Sequence, residues 1–279
     1  MLKLEQIEKR YGTIRAADGV SLTLYDGESL VLAGESGSGK TTLAKIIAGM
    51  CRPDSGRVLL DGRELGAVSG RRSFEDCAGI QYIFQDPYSA LESSFTVRKT
   101  LGETARICRR NKRPCIPAEE ALAYVDRKLV GKLDRQVGEL SGGQRQKVCI
   151  ARALMPEPRL IIADESTSML DKDSGKEVFD LLNRIKTEKG ISILAILHDV
   201  DFSYTGWDRI AVMWQGKLVE QAIFAEFPKM AEHSYSRCLL EAYQYFNGRD
   251  VHERTGKASF GNGEGGIQKT GAGAGFHAE

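Results

Sequence analysis

The run Gly34-Glu35-Ser36-Gly37-Ser38-Gly39-Lys40-Thr41-Thr42 carries the most specific chemistry in this chain. Its glycines let several backbone N–H groups turn toward one anion, and a lysine and two hydroxyl side chains follow directly. The spacing is G-x-x-x-x-G-K-[ST], and its physical use is to cradle a nucleotide's phosphates. In that use Lys40 reaches the β- and γ-phosphates, and the Thr41 hydroxyl ligates Mg²⁺. A short apolar run, Ser29 to Ala33, precedes the glycines, and helical spacing follows in "TTLAKIIAGM". A strand, a loop and a helix start in that order are what the mechanism requires.

Two further stretches could do chemistry. In "LIIADE", four apolar residues, Leu160 to Ala163, deliver Asp164 and Glu165 to the end of a buried strand. Asp164 can hold a Mg²⁺ shell, and Glu165 can orient or deprotonate an attacking water. An acidic pair in that position also suits a helix N-terminus. In "ELSGGQRQK", Ser141, Gly142, Gly143 and Gln144 lead straight into the helical pattern of Val148, Ile150, Ala151 and Leu154. A glycine pair at a helix start presents free N–H groups and the positive dipole end to an anion. Ser141 is equally suited to cap that helix. One chain thus carries two phosphate-binding turns, about a hundred residues apart.

The elements around these stretches set the expected fold. Leu2 and Leu4, then Val20, Leu22 and Leu24, alternate with polar residues, so the chain should open on half-buried strands. "RVLLDGREL" and "IQYIFQD" read as further strands. From about Ala90 to Pro156 the periodicity becomes helical in "VRKTLGETARICRR" and "AEEALAYVDRKLV", with a proline-marked break, "NKRPCIP", between them. Strand signals return in "RLIIAD", "ISILAIL" and "RIAVMWQGKLVEQ", with a helical "GKEVFDLLNRIKTEKG" interposed and a short helical end, "SYSRCLLEAYQYF". The expected class is α/β: a core with a parallel-strand sheet, an antiparallel N-terminal part and an inserted helical subdomain. The domain boundaries are 1–246 for this unit, with the helical insert at about 90–156, and 247–279 for a glycine-rich tail too poor in apolar residues to order itself.

Composition narrows the setting. A net charge of +1 gives no electrostatic reason to expect nucleic acid or an anionic membrane as partner. No apolar stretch approaches the roughly 20 residues that span a bilayer. The opening "MLKLEQIEKRYG" lacks the apolar core of a signal peptide, so the expected place is the cytosol, or a membrane surface held through other chains. The six cysteines form no C-x-x-C pair, and free, mostly buried thiols are expected.

The glycine loop, "LSGGQRQ" and "LIIADE", in this order, resemble the ATP-binding cassette (ABC) ATPases over roughly residues 1 to 245. The resemblance implies that two cassettes meet head to tail. Ser141, Gly142, Gly143 and Gln144 of one chain then serve the ATP held by Gly34 to Thr42 of the other, which gives the second turn its purpose. It also implies roles for single residues. Gln85 in "IFQDP" touches Mg²⁺ or water and links the core to the helical insert. His198, after "SILAIL", contacts the γ-phosphate. Asp171 in "STSMLD" communicates across the dimer, and Tyr11 stacks on adenine. Lys40, Gln85, Glu165 and His198 form the implied catalytic set, and Thr41, Gln85 and Asp164 the implied Mg²⁺ set.

"FQDPYSAL" and the ending "LVEQ…SYSRCLLEA" look like the ATPases of oligopeptide, dipeptide and nickel importers. The sequence departs from that branch at "ESSFTV", and its C-terminal extension holds only Cys238, so no iron–sulfur ligand set is present there. The implied partners are a second ABC ATPase, as a heterodimer or a homodimer, two transmembrane permeases and, indirectly, an extracytoplasmic binding protein. The implied location is the cytoplasmic face of the cell membrane. An exporter motor, or a cassette in a non-transport assembly such as a carbon–phosphorus lyase system, fits the same motifs.

Overall fold

A computed structural model describes residues 1–66, 72–198, 200–202 and 204–255, with backbone alone for Lys172 and 245–255. The chain divides into a compact unit, Met1–Tyr243, and a second unit from Gln244. All the candidate site residues lie in the first.

Along the chain run β1 (Leu2–Tyr11), β2 (Ile14–Leu24), β3 (Ser29–Ala33), α1 (Lys40–Ile47), β4 (Ser55–Leu60), β5 (Arg63–Glu64), α2 (Phe74–Gly79) and β6 (Ile80–Ile83). Four helices follow: α3 (Pro87–Ala90), α4 (Val97–Arg110), α5 (Ala118–Asp126) and α6 (Gly142–Leu154). Then come β7 (Leu160–Asp164), α7 (Lys172–Lys189), β8 (Ser192–Ile196), β9 (Arg209–Trp214), β10 (Lys217–Ile223), α8 (Phe227–Met230) and α9 (Ser234–Thr255). One sheet has the order β2-β1-β4-β5 and is antiparallel; the other has the order β10-β9-β3-β8-β7-β6 and is parallel except for the β9–β10 pair.

The inner strands β3, β7 and β8 are buried on both faces, which is why they read as nearly continuous apolar runs, while the edge strand β10 is only partly buried. Alternate residues go to opposite sides. Leu30, Leu32, Ile162, Leu194 and Ile196 pack with α1 and the antiparallel sheet, whereas Val31, Ala33, Ile161, Ile193 and Ala195 pack with the helices of the insert and α7. In β1 the alternation of Leu2 and Leu4 skips a residue before Ile7. Gln6 sits there at φ 50°, and the pairing slips between Leu4↔Leu22 and Ile7↔Val20. That bulge re-aims Ile7 into the core, where it is fully buried.

Two expectations need correction. The thiols are not mostly buried: Cys108 and Cys149 are, Cys51 and Cys115 are half-buried, and Cys77 and Cys238 are exposed. The latter two lie on outward faces of α2 and α9, where a small side chain costs little in water. The C-terminal helix also runs past the expected boundary at Asn247 to Thr255. Gly248 is the single glycine in that helix and proline is absent from it, and one glycine is tolerated in a helix at about 1 kcal/mol. The rest of the tail, 256–279, lies outside the described residues.

Candidate functional site

Parallel strands bring their C-terminal ends to one edge, and the candidate residues leave the sheet there. Gly34 follows β3, Gln85 follows β6, Asp164 ends β7 with Glu165 next to it, and His198 lies just past β8. The register Asp164↔Ile196 and the bond from Glu165 N–H to the Ile196 carbonyl, 3.0 Å, lock β7 and β8 together at this end.

The first turn needs its glycines. Gly39 has φ +105°, and a Cβ there would stand 1.9 Å from the Ala16 carbonyl oxygen. Gly34 has φ +146°, with the Met213 carbonyl oxygen 2.2 Å from the same hypothetical atom. Gly39 caps α1 directly, so the free N–H groups of that helix open into the loop. Glu35, Ser36 and Gly37 are exposed, Ser38 is buried with no partner for its Oγ among the described residues, and Thr42 is half-buried. Lys40 is buried to 4% exposure, and its Nζ donates to the carbonyls of Gly34 at 2.6 Å and Glu35 at 2.8 Å. Burial pushes its pKa down, against the opposing fields of Glu165, Asp164 and Glu35. A desolvated ammonium ringed by carbonyls and flanked by acids is poised for a polyanion.

Thr41 Oγ1 donates to Asp164 Oδ1 at 3.3 Å. This convergence of a hydroxyl and a carboxylate oxygen beside the phosphate loop fits a small, hard cation such as Mg²⁺. The other oxygen, Oδ2, accepts from the Tyr82 hydroxyl. Gln85 Nε2 donates to Glu165 Oε2 at 2.7 Å and approaches Ser168 Oγ at 3.4 Å. Glu165 holds φ 45°, a left-handed backbone uncommon for a residue with a side chain. Its carbonyl accepts from Ser168 N–H and Oγ, at 3.0 and 2.9 Å, which fixes this tight turn. His198 is exposed at the same edge.

The second turn is built separately. Ser141 caps α6 and accepts from Gln144 N–H at 3.4 Å, while Gln144 Oε1 accepts from Ser141 N–H at 3.4 Å and from Lys132 Nζ at 3.0 Å. Arg145 donates to the carbonyls of Leu140 and Gly138 at 3.1 and 2.7 Å, and its guanidinium lies 4.3 Å from the centroid of the Tyr88 ring. Among the described residues no hydrogen bond joins Ser141–Gln144 to Gly34–Thr42. Asp171 caps α7, accepting from Ser174 N–H at 2.9 Å and Ser174 Oγ at 2.8 Å, and those bonds hold its carboxyl low. Tyr11 keeps half its surface exposed, with its hydroxyl 3.4 Å from Cys51 Sγ.

The sequence reading passes over Tyr82, Tyr88 and Arg145. Tyr82 alone left a signal: a buried phenol in an apolar strand must find a hydrogen-bond partner.

Residues 17–168 match the family described as ABC transporter. The chain is 36% identical to the oligopeptide transport ATP-binding protein OppF of Bacillus subtilis (strain 168), covering 87% of this chain and 82% of that one. It is 36% identical to OppF of Salmonella typhimurium (strain LT2), covering 82% and 70%, and 34% identical to a putative peptide import ATP-binding protein of Brucella ovis, covering 84% and 74%. The fold matches the ADP conformation of MJ1267, an ABC transporter cassette, with TM-score 0.69 and 28% identity over 92% of this chain and 99% of that one. It also matches a dimeric, post-hydrolysis state of the cassette MJ0796 bound to ADP and Pi, with TM-score 0.65 and 26% identity over 80% and 99%. With relatives this similar along most of its length, and with a fold shared by cassettes that hold the products of ATP hydrolysis, the chain belongs to the ABC transporter family, as one of its ATP-hydrolysing subunits.

Proposed function

We propose that this chain drives the import of peptides, binding MgATP at the edge formed by β3, β6, β7 and β8. The observation that carries the catalytic part is the convergence of Lys40, the Thr41–Asp164 pair and the Gln85–Glu165 pair at one sheet edge. The peptide assignment is supported by the names of its relatives, which are peptide-import and oligopeptide-transport proteins.

The family resemblance and the geometry together give each residue a task. Gly34 to Thr42 wrap the phosphates with backbone N–H groups, and Lys40 exchanges the Gly34 and Glu35 carbonyls for phosphate oxygens. Thr41 and Asp164 hold Mg²⁺ with Gln85 near its shell, and the bound ion supplies charge neutralisation at the β- and γ-phosphates. Glu165 accepts a proton from the attacking water. Its bond to Gln85 holds its carboxylate in place, and a shift of Gln85 changes how that base is presented. His198 steadies the γ-phosphate, and Tyr11 offers its exposed ring to adenine.

Ser141, Gly142 and Gly143, with Gln144 completing the cap, serve the nucleotide of a second cassette. That arrangement requires a dimer with another ATPase, of the same or a related kind. Two permeases would hold the pair at the cytoplasmic face of the membrane at high effective concentration. No helix among the described residues is long and apolar enough to cross a membrane. All of these parts lie within Met1–Tyr243; the proposed cassette boundary at 246 falls inside α9, which continues to Thr255.

The test is affinity purification of the chain from membranes to identify permeases that co-elute, then their co-expression with it and reconstitution in vesicles. ATP-dependent accumulation of a labelled oligopeptide, abolished by Lys40→Ala, is the expected result. Nickel uptake without peptide uptake, outward movement of cargo, or the absence of co-purifying permeases would overturn the peptide-importer assignment.

A further inference from the structure

The two oxygens of Asp164 have different surroundings. Oδ1 faces the Thr41 hydroxyl at 3.3 Å, and Oδ2 receives the Tyr82 phenol. Tyr82 and Asp164 are 9% and 6% exposed. Tyr82 comes from the adjacent strand, where its backbone pairs with Ile162, so its ring runs along β7 toward the strand end to reach Asp164. The ring is held in the apolar layer that includes Ile80, Leu160 and Ile162, and the Phe84 ring packs against it at 4.9 Å between centroids.

A carboxylate turns about a soft terminal torsion, so its plane is set by what its oxygens bind. Here one oxygen is tied to a donor on a rigid, buried ring. Only the other remains directed at Thr41. We propose that Tyr82 is a positioning residue for Mg²⁺: it fixes the Asp164 carboxylate with Oδ1 turned to Thr41, so that the ion meets a preformed pair of oxygens. This rests on the reading of Thr41 and Asp164 as the metal-holding pair. Partners of a metal-holding group carry about 10–100-fold in metal affinity when removed. Mg²⁺ would keep several of its own waters and take only part of its binding from Asp164, so the lower end, about 10-fold, is expected.

The experiment measures Mn²⁺ binding to the full-length chain with ADP, by the loss of the free-ion electron spin resonance signal. Tyr82→Phe keeps the ring and its contact with Phe84 and removes only the donor. It should weaken Mn²⁺ by about 10-fold and leave ADP affinity in EDTA unchanged. Excess Mg²⁺ should restore turnover. Placing 3-fluorotyrosine at position 82, which keeps the donor, should retain the wild-type affinity. Mn²⁺ binding by Tyr82→Phe within about twofold of wild type, or a loss shared equally by the fluorotyrosine protein, overturns the proposal. Asp164→Asn separates the two levels: if it binds Mn²⁺ as tightly as wild type, the metal pair itself is misassigned. If it weakens binding while Tyr82→Phe does not, only the role of Tyr82 falls.

Discussion

Replacing Glu165 by glutamine should separate rate from stability. In the structure Glu165 Oε2 accepts one hydrogen bond from Gln85 Nε2, at 2.7 Å. An amide at this position keeps an acceptor oxygen, so the bond persists in neutral form. The loss is the difference between a charge-assisted and a neutral bond, about 1 kcal/mol or less beside water. The unusual φ of 45° is met equally by glutamine. The melting temperature should therefore move by no more than about 2–4 °C. The amide cannot take the proton of the attacking water, which costs about 10²–10⁴ in rate, or about 3–5 kcal/mol in the barrier. Removing one negative charge near the phosphates should leave ATP binding unchanged or tighter, and the variant should accumulate as an ATP-loaded dimer. The assays are single-turnover hydrolysis, filter-retained ATP and sedimentation with and without ATP. An ATP-loaded variant turning over within about threefold of wild type would refute Glu165 as the base. A drop in melting temperature well beyond the stated range would instead refute the account of its contacts.

Other outcomes follow from the same geometry. Lys40→Ala should abolish turnover, because the β- and γ-phosphates lose their buried cation; normal ATPase activity of this variant would remove the loop from the mechanism. Gly39→Ala must accept φ +105° and move the Ala16 carbonyl, which lies 1.9 Å from the new Cβ. The strain alone costs about 1–3 kcal/mol, so thermal melting should fall and nucleotide binding should be lost, and a variant that melts and binds like wild type contradicts the close approach. Asp208 accepts from Ser29 N–H and Oγ, both at 2.8 Å, and from Lys186 at 2.9 Å. Burial opposes its ionisation, but these donors outweigh it and hold its carboxyl low. Its folded pKa is thus below the unfolded value of about 3.9, so its contribution is present above that pH and lost as pH falls through the folded value. Asp208→Asn should lower the melting temperature at pH 7, and the gap to wild type should close below about pH 4; a gap that persists in acid contradicts the assignment.

The sequence by itself determined the local chemistry. Gly34 to Thr42, Asp164 with Glu165, and Ser141 to Gln144 are contiguous, and each is made by one turn between a strand and a helix or by one helix start. Such a unit needs only residue type and spacing, because its function lies in backbone N–H groups and the side chains that follow. The parallel core was legible for a related reason: strands buried on both faces must be mostly apolar, as β3, β7 and β8 are, each with a single polar residue at one end.

Tertiary structure decided which distant residues meet. The order β3-β8-β7-β6 brings Thr41 to Asp164 and Gln85 to Glu165, across 123 and 80 residues of chain. Nothing in the spacing encodes those pairings, since strand order depends on how helices cross over the sheet. The bulge at Gln6, which slips the β1 register, likewise needed the pairing partner to be seen. Tyr82 shows the limit most clearly. Its alternation in "IQYIFQD" assigns it to a strand, yet the partner of its phenol is set by the lateral neighbour β7. A period-2 pattern specifies which face a side chain takes, and only the assembled sheet specifies what stands beside it.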